Sequence, residues 1–181
     1  MKKRQLKIVG ARIFLRTLKT SDVNIEYLNW MNDRQTQEYT RRRGTKMTIF
    51  DLKKFIRDSK KSNDWHFAIV TKENKHIGNI FLNLFDAINK SADVSIMIGD
   101  KDAQGKGYAK EAITVISNFA FNKLGLHRLS AGSPNPAFNA LIQKLGWTLE
   151  GVRRESFKMG KNFIDISCWA ILKEEFFKTL K

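Results

Sequence analysis

Gln104-Gly105-Lys106-Gly107-Tyr108-Ala109-Lys110 has the residue types and spacing to hold phosphate oxygens on main-chain N–H groups. A helix start leaves its first N–H groups without intrahelical partners, and the helix dipole favours negative charge at the same point. Gly105 and Gly107 carry no side chain to keep a pyrophosphate from the main chain, and Lys106 and Lys110 add positive charge. Two common nucleotide loops do not fit. The Gly-x-x-x-x-Gly-Lys-Ser/Thr spacing is absent. The three-glycine dinucleotide fingerprint would need a first strand before it and an acidic residue about 20 positions on, where Leu124–Leu129 stand instead.

Such a loop must be held between a strand and a helix, and the flanking residues predict both. Ala92–Ile98 alternates and is rich in β-branched residues, which predicts a strand. Ala109, Ala112, Ile113, Ile116 and Ala120 fall on one face of a helix running to about Lys123. Further strands are predicted at Arg12–Arg16, Phe67–Val70, Ile77–Leu82, Leu126–Ala131, Trp147–Glu155 and Phe163–Ile171. Helices are predicted from the Thr20-Ser21-Asp22 cap to Met31, from Thr48 to Lys60, over Asn135–Leu145 and at the C-terminal end. Arg41-Arg42-Arg43-Gly44 reads as a basic loop. Helices near the start, then β-β-β-α-β-α-β-β, is the order of a mixed α+β sheet domain spanning 1–181.

Composition narrows the chemistry. With one cysteine, Cys168, the chain can form neither an internal disulfide nor a multi-cysteine metal site, and Cys168 reads as strand packing. His66, His76 and His127 are too scattered to suggest a metal. The apolar stretch Ala112–Phe121 is broken by Thr114, Ser117 and Asn118, so no bilayer span is expected. Met1-Lys2-Lys3-Arg4 is basic but no apolar run follows it, so a signal peptide is not expected and the chain reads as cytoplasmic. The net charge is +15, and residues 1–61 hold 17 Lys/Arg against 6 Asp/Glu. A field of that sign attracts anionic partners, or merely keeps the protein soluble.

Three further segments carry a family resemblance. Gln104, Gly107 and Ala109 meet the pattern Gln/Arg-x-x-Gly-x-Gly/Ala. Asn135 to Trp147 is similar to an Asn-x-x-Ser…Lys-x-Gly-Phe segment, and Leu149-Glu150-Gly151-Val152-Arg153-Arg154-Glu155 to a Leu-Glu-Gly-x-x-Arg-Glu strand. These resemble the GNAT (GCN5-related N-acetyltransferase) superfamily, in the branch of the ribosomal-protein alanine acetyltransferases. Trp30-Met31-Asn32-Asp33 resembles an element of relatives acting on small amines and amino sugars. The resemblance covers about Arg12 to Phe177. It implies a mixed, mostly antiparallel central sheet with a splayed parallel strand pair, flanked by helices.

The resemblance also implies roles. Acetyl-CoA would be the co-substrate, with no metal. Its thioester would lie in a gap between Val94–Ile98 and Leu129–Ala131, its pyrophosphate on Gln104–Lys110, and its arm on the main chain of Met97 and Ile98. Asn135 could bond the arm, as well as capping its helix; Lys144 could meet the 3′-phosphate or simply be exposed; Tyr108 packs beside the cofactor. Asp93 is the first candidate for general base, with Glu150 and Glu155 as alternatives. The tyrosine that serves many relatives as general acid is replaced by Ile142, and the serine of the ribosomal branch by Phe138. The acceptor pocket would draw on Trp30, Asn32, Asp33, Tyr39 and Arg41–Arg43, with Asp33 attracting an ammonium and the arginines a phosphate; taken one at a time, these residues read instead as a core tryptophan, a helix cap and a solvated charge run.

The expected activity is N-acetylation of a primary amine on an anionic small molecule, such as a nucleotide-linked amino sugar. Acetylation of a ribosomal protein N-terminus is the alternative. The missing acid leaves a third reading, a non-catalytic acyl-CoA-binding regulator. A nucleic-acid partner is not expected except through a ribosomal substrate, because the basic run lacks interleaved aromatics. A homodimer is possible.

Overall fold

The computed structural model describes residues 6–180; the basic start at 1–4 lies outside the described residues. Eight strands form one sheet: β1 (Lys7–Val9), β2 (Ile13–Thr17), β3 (Trp65–Thr71), β4 (His76–Asp86), β5 (Ser91–Ile98), β6 (Arg128–Ser133), β7 (Thr148–Met159) and β8 (Asn162–Leu172). Their spatial order is β1-β2-β3-β4-β5-β6-β8-β7. Every adjacent pair is antiparallel except β5 with β6. The helices are α1 (Ile25–Asn32), α2 (Arg34–Gln37), α3 (Ile49–Ser59), α4 (Tyr108–Asn122), α5 (Pro136–Lys144) and α6 (Lys173–Thr179). The mixed sheet, its single parallel pair and its flanking helices are those expected.

Three elements differ from the reading of the sequence, the first being the one-turn helix α2, which was not expected. Lys7–Val9 forms a short edge strand that three residues of alternation were too few to announce. The Thr20-Ser21-Asp22 cap opens only one 3-10 turn; α1 starts afresh at Ile25, where the Asn24 side chain accepts from the Tyr27 N–H. The Thr48 cap is as expected, and is reciprocal: Thr48 Oγ1 accepts from the Asp51 N–H while Asp51 accepts from the Thr48 N–H.

The sheet buries both faces. One carries Ile13, Leu15, Phe67, Ile80, Leu82, Val94 and Leu129 against Ile113, Ile116 and Ala120 of α4, Ile142 of α5 and Phe176 of α6. The other packs Phe14, Ala68 and Val70 against Tyr27, Leu52 and Ile56 of α1 and α3. Each such aliphatic or aromatic side chain gains about 1.5–3 kcal/mol by leaving water. Alternation then fixes the site. Ala92, Val94, Ile96 and Ile98 of β5 join the α4 core, so Asp93, Ser95 and Met97 face the α1–α3 side. Among the described residues, no helix is long and apolar enough to cross a membrane.

Candidate active site

The parallel ladder between β5 and β6 is brief. Ser91 pairs with Arg128, Ala92 with Leu129 and Asp93 with Ser130; beyond that the strands part. The gap therefore lies between Val94–Ile98 and Ala131–Ser133, two residues later on β6 than expected, because Leu129 and Ser130 still pair with Ala92 and Asp93. Parting leaves the β5 main chain without a β6 partner over the length that an extended arm could pair with.

Asp93 stands at the apex of this fork. Its carboxylate accepts from Ser130 Oγ at 3.3 Å. Burial pushes its pKa up from 3.8 to about 6, against the pull of the Ser130 hydrogen bond and of the charges on Arg153 and Arg41. A carboxylate in that range is ionised at neutral pH yet basic enough to take a proton. Glu150 is differently placed. Both its oxygens accept from the Arg128 guanidinium, which holds its carboxyl below the ordinary range. Glu155 is exposed on β7 with its N–H on Asp165.

At the mouth of the fork, Gly105 and Gly107 adopt left-handed φ of +72° and +81°, and Gly107 caps α4. A side chain at Gly105 would meet only open space, but its backbone would be strained. The Gln104 amide donates to the Ile98 carbonyl at 2.9 Å and so ties the loop to the end of β5. Lys106 and Lys110 are exposed, Tyr108 and Ala109 half-buried. Left-handed glycines, an open surface and the start of a 15-residue helix fit a pyrophosphate.

Across the gap, Asn135 caps α5: its Oδ1 accepts from Ala137 N–H at 2.9 Å and from Phe138 N–H at 3.4 Å. Its amide nitrogen is left to meet a ligand carbonyl, so the cap and the arm contact are compatible. Ile142 is fully buried in the α4-side core, so a tyrosine there would require repacking, while Phe138 is half-buried against the same core. Lys144 is exposed at the end of α5.

The Trp30 to Asp33 segment is built into the scaffold. Trp30 lies flat on Gly99, where an added Cβ would come within 2.3 Å of the indole, and packs edge-on to His76. The Asn32 amide donates to the Met47 carbonyl and accepts from the Met47 N–H, pinning the loop that carries the arginines. Asp33 caps α2 through Thr36 and pairs with Lys101, and these hydrogen bonds hold its carboxyl down at about 2. Tyr39 is half-buried.

Arg41 and Arg153 stand near enough to Asp93 for their charges to act on its carboxylate. Arg42 lies over Phe55 and Arg43 over Phe157, at 4.9 and 4.0 Å from the ring centroids. The Arg153 guanidinium covers Gly132 so closely that a Cβ there would be 2.9 Å from it. Arg12, Arg16 and Arg128 each pair with a carboxylate, but among the described residues none lies within ion-pair distance of Arg41, Arg42, Arg43 or Arg153. Sequence reasoning did not single out Arg153. Its signal was the resemblance of the 149–155 strand, but which face it would point from depended on the register of β7. Among the described residues, no group of three or more His, Cys, Asp or Glu is placed to hold a metal.

A mixed sheet with one short parallel pair, a fork and a glycine loop at its mouth define an acyl-CoA transferase architecture. A family profile described as "Acetyltransferase (GNAT) domain" matches residues 12–148, and the chain belongs to that family. It is an acetyl-CoA-dependent N-acetyltransferase. A Bacillus subtilis (strain 168) protein named as a probable N-acetyltransferase, YjcK, is 26% identical over 181 residues, covering 92% of this chain and 97% of its own. The spermidine N(1)-acetyltransferase of Vibrio cholerae is 28% identical over 112 residues, 61% of this chain and 64% of its own. In structure, the spermidine N-acetyltransferase from Vibrio cholerae in complex with CoA and spermine superposes with a TM-score of 0.84 at 24% identity, over 92% of this chain and 98% of that one.

Proposed function

We propose that this N-acetyltransferase acts on the primary amine of an anionic small molecule, for which a nucleotide-linked amino sugar is the model acceptor, with Asp93 as general base. The carrying observation is that the charges of Arg41 and Arg153 both reach Asp93 while, among the described residues, no carboxylate pairs with either of them or with Arg42 and Arg43 of the same loop. A negative charge about 5 Å from one guanidinium gains roughly 1–3 kcal/mol, between effective dielectric constants of about 80 and 20. A polyamine would lose comparable amounts, so this face argues against the substrate that gives the Vibrio enzyme its name.

The amine must reach the thioester carbonyl as a free base. Asp93 takes its proton, directly or through one water. The amine nitrogen bonds to the carbonyl carbon, the C–S bond breaks and the thiolate leaves, protonated by solvent or by the proton the amine releases. No side-chain acid is needed for that balance, since a thiolate is a good leaving group at neutral pH. Positioning by the split strands supplies most of the rest.

The test is thiol release from acetyl-CoA across UDP-amino sugars, spermidine, aminoglycosides and ribosomal N-terminal peptides. UDP-amino sugars should turn over fastest. Arg153→Ala and Arg41→Ala should each raise the acceptor KM by about tenfold, leaving the KM of acetyl-CoA unchanged. Preference for spermidine, or arginine variants with unaltered acceptor KM, would sink the reading.

A further inference from the structure

The turn between β1 and β2 reaches across the sheet edge to the pyrophosphate loop through one side chain, Arg12. Its Nη1 donates to the Lys106 carbonyl at 2.9 Å, and its guanidinium lies 4.8 Å from the centre of the Tyr108 ring. Its Nη2 stands 3.3 Å from where a Cβ on Gly107 would be. Arg12 is itself held by Glu111, in the first turn of α4. Glu111 Oε2 accepts from Arg12 Nε at 3.0 Å, and Oε1 accepts from the main-chain N–H of Arg12 at 2.7 Å and of Ile13 at 3.2 Å. Gly10 leaves room for this carboxylate, since a Cβ there would be 2.8 Å from Oε1.

We propose that Arg12 is a positioning residue for the cofactor, holding the loop in its anion-binding form before the ligand arrives. A trans peptide points its C=O and the following N–H in opposite directions. With the Lys106 oxygen fixed on Arg12, the Gly107 N–H is turned away from Arg12 and out to the exposed side of the loop. A Cβ on Gly107 would crowd the same guanidinium at 3.3 Å, a small addition to the demand of its left-handed φ for glycine. Because Glu111 neutralises Arg12, the contribution is geometric rather than a matter of net charge. A loop ordered beforehand loses less freedom on binding.

The inference rests on acetyl-CoA as co-substrate but on no particular acceptor. It is tested by titrating CoA, and pantetheine (which lacks the pyrophosphate), into the wild-type chain, Arg12→Ala and Arg12→Lys, with thermal unfolding of each. Arg12→Ala should raise the Kd of CoA by about tenfold, the size expected for a lost charge-assisted hydrogen bond, and leave that of pantetheine unchanged. Arg12→Lys keeps the charge but not the planar fork, and should lose most of the same affinity at near wild-type stability. An unchanged Kd for CoA, or equal weakening of CoA and pantetheine, overturns the proposal; so does a wild-type chain that binds no CoA. CoA binding that depends on Arg12, with no turnover of any amine tested, upholds it and defeats the acceptor reading instead.

Discussion

Replacing Asp93 with asparagine should slow the enzyme and stabilise its fold. The Asp93 pKa rises from 3.8 to about 6, chiefly through burial. At about 1.4 kcal/mol per pKa unit this is about 3 kcal/mol, and its partial exposure reduces the figure to roughly 1–3. The sign follows from proton linkage. Below pH 3.8 the residue is protonated in both states and costs nothing. As pH rises toward 6 the unfolded chain ionises first, so stability falls; above 6 the penalty is constant. Asparagine, which is neutral and can still accept from Ser130, removes that penalty. At pH 8 the midpoint of thermal unfolding should rise by roughly 3–8 °C for a chain of this size, and near pH 4 the variant and wild type should coincide. Meanwhile kcat/KM for the acceptor should fall by about 10²–10⁴, and the ascending limb of its pH profile near pH 6 should disappear. An arylamine acceptor, already unprotonated at the assay pH, should be spared most of the loss. A variant that keeps kcat/KM within about threefold on an alkylamine, or whose stability advantage over the wild type is no larger at pH 8 than at pH 4, would refute the assignment of Asp93 as a desolvated base.

Two other substitutions separate scaffold from chemistry. Asp33→Ala removes the α2 cap and the Lys101 pair, so urea unfolding at pH 7 should show a loss of about 1 kcal/mol with an unchanged acceptor KM; because the Asp33 pKa is depressed to about 2, that difference should shrink as pH falls from 3.8 toward 2. Ile142→Tyr would place a phenol where many relatives keep their acid, but the site is fully buried, so calorimetry should show a loss of about 1–3 kcal/mol and thiol release should show no gain in kcat.

The backbone geometry of the candidate cofactor loop was legible in the sequence because it is local. Gly105, Gly107 and the helix that follows lie within a few residues of one another, and left-handed φ values and an open helix start are properties of contiguous backbone. Asn135 was legible for the same reason, since Ser133-Pro134-Asn135-Pro136 announces a cap whatever the fold. The acceptor half was not. Trp30, Asn32 and Asp33 stand together in the chain, but the first packs on Gly99, the second pins Met47 and the third caps α2. Arg41 and Arg153, whose charges act on Asp93, come from segments more than 100 residues apart.

By itself, the sequence determined the order of strands and helices, the glycine loop, the caps and the absence of both usual acids, because hydrophobic period, turn chemistry and residue identity are written in neighbouring positions. Tertiary structure decided which of the candidate carboxylates is half-buried at the fork and which is tied up in an ion pair. In one dimension Asp93 is the first candidate and Glu150 an alternative; the parting of β5 from β6 half-buries the first, and the register of β7 hands the second to Arg128. It also decided that Arg12, read as part of a strand, reaches the loop almost a hundred residues later. Strand order and register set such distances, and no local pattern of residues encodes them.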